Sequence, residues 1–341
     1  MPEPFLYVKA MGAAAIVSAA LVLAMARTMA RTMGRTTART GQAGRAAWSK
    51  SGPVLAMALG LAVGFSLLSL QSSWPPANGL DRYLSLVVPA ILGIELIAGC
   101  PWVSNGSAWF LRLSLAAAIP RILLHGSVYL SGSGDEWPRW RTGVALVVCG
   151  LLLAGMWGLL SWLCRRSPGV TISFALGMAI LCTGLTVMMA GYIKGGAAAF
   201  PLAATLFATT MASRLVVARW NRESGGGATN HAAQAILGVG VVSLFSLLFI
   251  GRFFGRLPTG SGLALLLAPL LCWGTEIPVL RHRKPWLLGS LRMALVAIPL
   301  LVVLVVAKRD FDREMGPLLG KVPADHSAAV AFNPTPSTSA P

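Results

Sequence analysis

The chain has 341 residues, of which 55% are apolar and 11% charged, with a mean hydropathy of +0.70. That balance excludes a water-soluble globule, and the length suits one membrane domain with short connections rather than a membrane part plus a soluble one. A net charge of +17 would suit a nucleic-acid binder, but it is concentrated in short connections between apolar runs and offers no folded basic face with groups to read bases.

The sequence predicts an all-α, polytopic transmembrane helix bundle over residues 1–307. Apolar runs of helix-spanning length predict ten spans, at 5–26, 53–70, 83–100, 108–130, 142–164, 168–192, 197–218, 233–250, 261–280 and 286–307. The first contains Ala24-Met25-Ala26, which resembles a signal-peptidase site. It is read as a retained anchor, because Glu3 and Lys9 do not make a basic leader and six basic residues follow.

Those six belong to a basic cytoplasmic loop at 27–52. Its tandem tetrads RTMA, RTMG, RTTA and RTGQ put Arg27, Arg31, Arg35 and Arg39 four residues apart, on one face if helical. Such a stripe either contacts anionic lipid headgroups or serves only as a solvated topology signal. With the N-terminus outside, the inner connections carry thirteen Lys and Arg residues and the outer ones six, which predicts non-cytoplasmic termini in a plasma (inner) membrane of bacterial type. Tyr7, Tyr83, Tyr129 and Tyr192 fall at outer span ends, and Trp48, Trp102, Trp109, Trp162, Trp220 and Trp286 at inner ones, as an aromatic belt requires.

Small residues recur at helix-packing spacing in Gly52, Ala56, Gly60 and Gly64, in Gly150, Ala154 and Gly158, in Gly177, Gly184 and Gly191, and in Ala204, Ala208 and Ala212. Ionisable residues inside spans are few, and each costs on the order of 3 kcal/mol unless paired. Glu95 in the third span and Arg112 in the fourth fall at similar depth, as do Glu276 in the ninth and Arg292 in the tenth, so each couple is a candidate ion pair or part of a pathway. The surrounding residues echo one another. Pro89, Glu95, Pro101-Trp102, Arg112 and Ala118-Ile119-Pro120 recur in order as Pro269, Glu276, Pro285-Trp286, Arg292 and Ala297-Ile298-Pro299, which is either a parallel internal repeat of helices 3–4 and 9–10 or a chance likeness of apolar helices. Arg121 follows Pro120 near the middle of the fourth apolar run, with His125 one turn on. Together they suggest an anion or proton site at the midplane, or an Arg compensating a nearby acid. Arg214 lies one turn from an end and is read as reaching out to the interface.

Catalytic and metal patterns are sparse. Asp135 and Glu136 share a turn with Arg139 and Arg141. Cys100, Cys149, Cys164, Cys182 and Cys272 have no paired spacing. His125, His231, His282 and His326 never stand at ligand distance. No metal site or cofactor is expected, Gly225 to Gly227 lacks the lysine of a phosphate loop, and residues 308–341 read as a disordered tail. Three classes of function remain. The first is a permease or carrier for a small solute, the second a non-catalytic membrane subunit packed against a partner or a second copy, and the third a lipid-modifying enzyme, which the scarcity of acids and His disfavours.

Overall fold

The computed structural model describes residues 4–33, 38–70, 73–100, 102–127, 130, 139–166, 170–224, 231–276 and 285–315. Among these residues the structure is helical and without a strand. In chain order the main helices are α1 (Pro4–Met33), α2 (Ala38–Leu67), α3 (Gly79–Gly99), α4 (Asn105–Leu124), α5 (Arg139–Arg166) and α6 (Thr171–Met189). After a single turn at Ile193–Ala197 come α7 (Ala199–Ser224), α8 (His231–Phe253), α9 (Thr259–Leu267, prolonged as a 3-10 helix over Ala268–Glu276) and α10 (Pro285–Met315).

Every apolar run has a helix, and eight of these helices are long and apolar enough to cross a membrane. The two that fall short are α2 and α9. In α2 the fully described residues from Ser51 to Leu67 are apolar but number fewer than a spanning helix needs. In α9 the α-helix stops at Leu267, just before Pro269, a residue without a backbone N–H, and the chain continues with tighter 3-10 turns. The exterior of the bundle is correspondingly apolar, with Val144, Leu151, Ile298 and Leu301 all exposed. The chain is built as a polytopic helical membrane protein.

Three boundaries differ from the sequence expectation. The basic segment 27–52 is largely helical, since α1 runs to Met33 and α2 starts at Ala38. Arg, Met and Ala are good helix formers, and they carry each helix past its apolar part. Likewise α10 continues through Lys308 to Met315, where loss of apolar periodicity suggested the start of a tail; residues 316–341 lie outside the described residues. The helix α4 ends at Leu124 although the apolar run continues to 130. His125 turns extended and Gly126 takes a φ of +67°, a left-handed conformation that suits glycine.

The centre of the bundle is α8. Its apolar window is 89% buried, and it packs against α2, α3, α4, α5, α6, α7 and α9. Close approach depends on glycine at several crossings. A Cβ at Gly240 of α8 would strike Leu176 and Leu206, and one at Gly184 of α6 would strike the Gly196 carbonyl and Ala199. Gly60 of α2 similarly lies on Ala14 and Ser18 of α1, while Gly158 of α5 has nothing within 4 Å and faces outward. The helix α1 is peripheral, seated on α2 and α7 through Val22, Ala26, Ala56, Ala212, Val216 and Trp220.

Inside α3 the turn Tyr83–Val87 is π-helical, and Val88 N–H donates to the Tyr83 carbonyl. The wider turn precedes Pro89 and shifts the register by one residue relative to the rest of the helix. Arg82 and Tyr83 both end up buried.

Candidate functional site: two buried ion pairs and an end cavity

Antiparallel neighbours α3 and α4 bring Glu95 and Arg112 together. Ser104 starts α4 by accepting from the Ser107 N–H, which sets Arg112 two turns into the helix, level with Glu95 one turn from the end of α3. The contact is bidentate, with Arg112 Nε donating to Glu95 Oε1 at 2.9 Å and Nη2 to Oε2 at 2.6 Å. Glu95 is 1% exposed and Arg112 8%. The guanidinium carbon also lies 5.5 Å from the Trp109 ring centroid and 5.9 Å from that of Trp157 on α5. Behind the carboxylate stands Gly238 of α8, where a Cβ would collide with Glu95 Oε1 and Trp157. Four helices, α3, α4, α5 and α8, therefore close around this pair.

The second pair joins α9 to α10. Arg292 Nη2 donates to Glu276 Oε1 at 2.8 Å, Nε to Thr275 Oγ1 at 2.6 Å, and Nη1 makes a longer contact of 3.4 Å to Thr171 Oγ1 at the start of α6. The Glu276 side chain is 17% exposed, so this pair is less enclosed than the first. Both arginines direct Nε to the side chain 17 residues earlier, Glu95 in one case and Thr275 in the other, and Nη2 to a carboxylate. One turn before Glu276, Trp273 of α9 packs against Trp162 of α5, the rings tilted by 46° with centroids 4.6 Å apart.

Other charged residues are placed differently. Arg121 lies in the last turn of α4 with an exposed side chain, and His125, just beyond the helix, is exposed as well. The early end of α4 brings Arg121 close to that end of the bundle and away from mid-span, and neither residue joins an ion pair described above. Arg214 is exposed on α7. Arg27 and Arg31 are exposed one turn apart on α1; Arg35 falls outside the described residues, and of Arg39 only its helical backbone in α2 is described.

Sequence reasoning put Arg82 in a loop, yet it is 8% exposed. Its Nη1 reaches the Leu123 carbonyl at 3.4 Å and its Nη2 the Ala77 carbonyl at 3.3 Å. It thereby caps the carbonyl end of α4, where a cation is favoured. The available signal was its place immediately before the third apolar run, which starts at Tyr83. The roles of Thr171 and Thr275 had no such signal, since lone threonines are common in apolar helices.

At the end of α6 and α10 remote from Arg292 there is a cavity of about 650 Å³. Its walls come from α6 (Thr186, Met189), the connection before α9 (Phe254, Arg256, Leu257), α9 itself (Ser261) and the far end of α10 (Asp310, Phe311, Arg313, Glu314). The helices α6, α9 and α10 thus border the cavity at one end and hold the Arg292 contacts at the other. Among the described residues no group of three His, Cys, Asp or Glu side chains could hold a metal, and the five cysteines are unpaired.

Together the fold and these pairs define a polytopic helical membrane protein with ionised side chains locked inside the bundle. No protein-family model, curated protein or solved structure matches the chain.

Proposed function

We propose that this protein is a carrier for a small polar solute, and that the solute's route runs between α6, α9 and α10. The observation that carries this reading is the shared wall: one set of three helices borders an open cavity at one end and is tied shut by Arg292, Glu276, Thr275 and Thr171 at the other. A carrier needs a site reachable from one side and a closure toward the other, and interrupted helices commonly line such sites. The 3-10 stretch of α9 is such an interruption, and Glu276 is its last residue. Breaking the ion pair removes the charged tie between α9 and α10 and leaves the end of α9 held to Arg292 through Thr275 alone. The cavity lining combines Arg256 and Arg313 with Asp310 and Glu314, which suits a solute bearing charge.

Ten crossings belong to the same reading. Nine α-helical and nine 3-10 residues give α9 a length of roughly 31 Å, about the thickness of a hydrocarbon core. The surplus of basic residues in the connections nearest the two ion pairs supports a cytoplasmic position for that end and non-cytoplasmic termini. Arg27 and Arg31, exposed beyond the apolar part of α1, support contact with anionic headgroups there. The matching use of Nε and Nη2 by Arg112 and Arg292 supports a parallel repeat of α3–α4 and α9–α10.

The test is native mass spectrometry of the protein released directly from its own membrane. A lone chain or homodimer carrying a small solute, lost in an Arg256→Ala, Arg313→Ala variant, is the expected result. A stoichiometric partner protein with no bound solute would replace the carrier with a subunit of a larger assembly.

A further inference from the structure

The end cavity carries both signs of charge, and the geometry of α10 sorts them. Ala307, Asp310, Phe311 and Glu314 all line the cavity and stand three, four and seven residues apart, so they form one face of the helix. The two carboxylates are one turn apart on that face. Arg313 also borders the cavity, but it stands about 110° around the helix from the middle of the face. What α10 presents squarely to the cavity is therefore acidic.

Positive charge comes from another wall. The Arg256 backbone N–H donates to the Ala190 carbonyl at 3.2 Å, which ties the connection before α9 to the end of α6 and sets Arg256 at the cavity. Among the described residues neither Arg256 nor the two carboxylates joins an ion pair, so the charges of the two walls are not spent on each other. Counted together, Arg256, Arg313, Asp310 and Glu314 carry no net charge.

Like charges one turn apart on a helix repel, and an ammonium group placed at both removes that repulsion. A guanidinium, for its part, takes a carboxylate through two parallel hydrogen bonds. A solute with only one of these charges would leave one wall without a partner, whereas a zwitterion meets both and adds no net charge to a cavity that has none. Phe254 and Phe311 supply aromatic surface in the same cavity, which an ammonium also favours. The volume of about 650 Å³ falls within the ~300–1,000 Å³ usual for small-molecule sites. Because α10 reaches the cavity with its charged last turns, beyond its apolar part, the site suits a dissolved solute rather than a lipid tail.

We infer that the cavity binds a small zwitterion of the amino-acid type, its ammonium group at Asp310 and Glu314 and its carboxylate at Arg256. This solute class rests on the carrier reading of the same cavity.

The test is equilibrium dialysis of the full chain in detergent against the common amino acids, each accompanied by the amine it gives on loss of its carboxylate and the acid it gives on loss of its ammonium group. Each set keeps one side chain and changes only the charged groups. At least one amino acid should be retained about tenfold better than both its amine and its acid. Asp310→Asn with Glu314→Gln should lower its retention to that of the acid, and Arg256→Gln to that of the amine, with an unchanged melting point because all three side chains are exposed. An amine or acid retained as well as its amino acid would overturn the zwitterion and leave a carrier of a singly charged solute. Retention that none of these substitutions changes would overturn the site, and the absence of any retained amino acid would overturn the class; the carrier reading itself falls only to a stoichiometric partner without solute.

Discussion

The two ion pairs have the same chemistry and different surroundings. Glu95 and Arg112 satisfy each other through both oxygens, are flanked by Trp109 and Trp157, and are backed by Gly238 of the central helix. Glu276 contributes one oxygen to Arg292, and threonines from α9 and α6 take the remaining contacts. A fully enclosed bidentate pair cannot be opened without leaving a bare charge in the bundle, so it braces α3 against α4. A partly exposed pair whose arginine keeps other partners can open at smaller cost, which makes it suitable as a latch.

That contrast fixes an order of effects. Glu95→Ala should cost about 3–5 kcal/mol, because it strands Arg112 among apolar neighbours. Yield and thermal melting in detergent would show it, and the reversal Glu95→Arg with Arg112→Glu should recover part of the loss. Failure of any recovery would count against pairing as the source of the effect. Gly238→Ala should cost about 1–3 kcal/mol by forcing a methyl group against Glu95 and Trp157, whereas Gly158→Ala should be neutral or slightly stabilising in the same assay because nothing lies near it. Glu276→Gln should cost about 1–2 kcal/mol, less than Glu95→Ala, since Thr275 and Thr171 still hold Arg292; equal losses at the two sites would erase the distinction between brace and latch. Arg121→Gln should change the melting point least, within about 0.5 kcal/mol, as expected for an exposed side chain without a packed environment.

Much of this arrangement was legible in the sequence. Ten apolar runs marked the ten main helices, since a spanning helix must satisfy its backbone internally and be apolar for most of its length. The depth matching of Glu95 with Arg112 and of Glu276 with Arg292 followed from helix rise alone, because neighbouring helices joined by short connections run antiparallel. Reasoning by run length failed where backbone chemistry changed the register. The turn at His125 and Gly126 ends α4 early and takes Arg121 away from mid-span; the π-turn in α3 buries Arg82; the change to 3-10 geometry around Pro269 brings Thr275 beside Glu276 onto Arg292. Nor could the sequence identify α8 as the central helix, since an apolar side chain faces lipid as readily as it faces a neighbour. The cavity was equally hidden, because its walls come from chain segments distant in sequence.

The central claim is that Glu276 and Arg292 form an openable latch, and Cys272 reports on it directly. This native thiol is fully buried in the 3-10 part of α9, one turn before Glu276. With Cys100, Cys149, Cys164 and Cys182 replaced by alanine, a membrane-impermeant maleimide applied to liposomes of known orientation measures its access from each side. The account predicts that Cys272 is nearly unreactive in the otherwise native chain, that Glu276→Gln makes it reactive from the ion-pair end, and that Glu95→Gln in the folded fraction does not. Cys272 that stays unreactive after Glu276→Gln, or becomes equally reactive after Glu95→Gln, would contradict it.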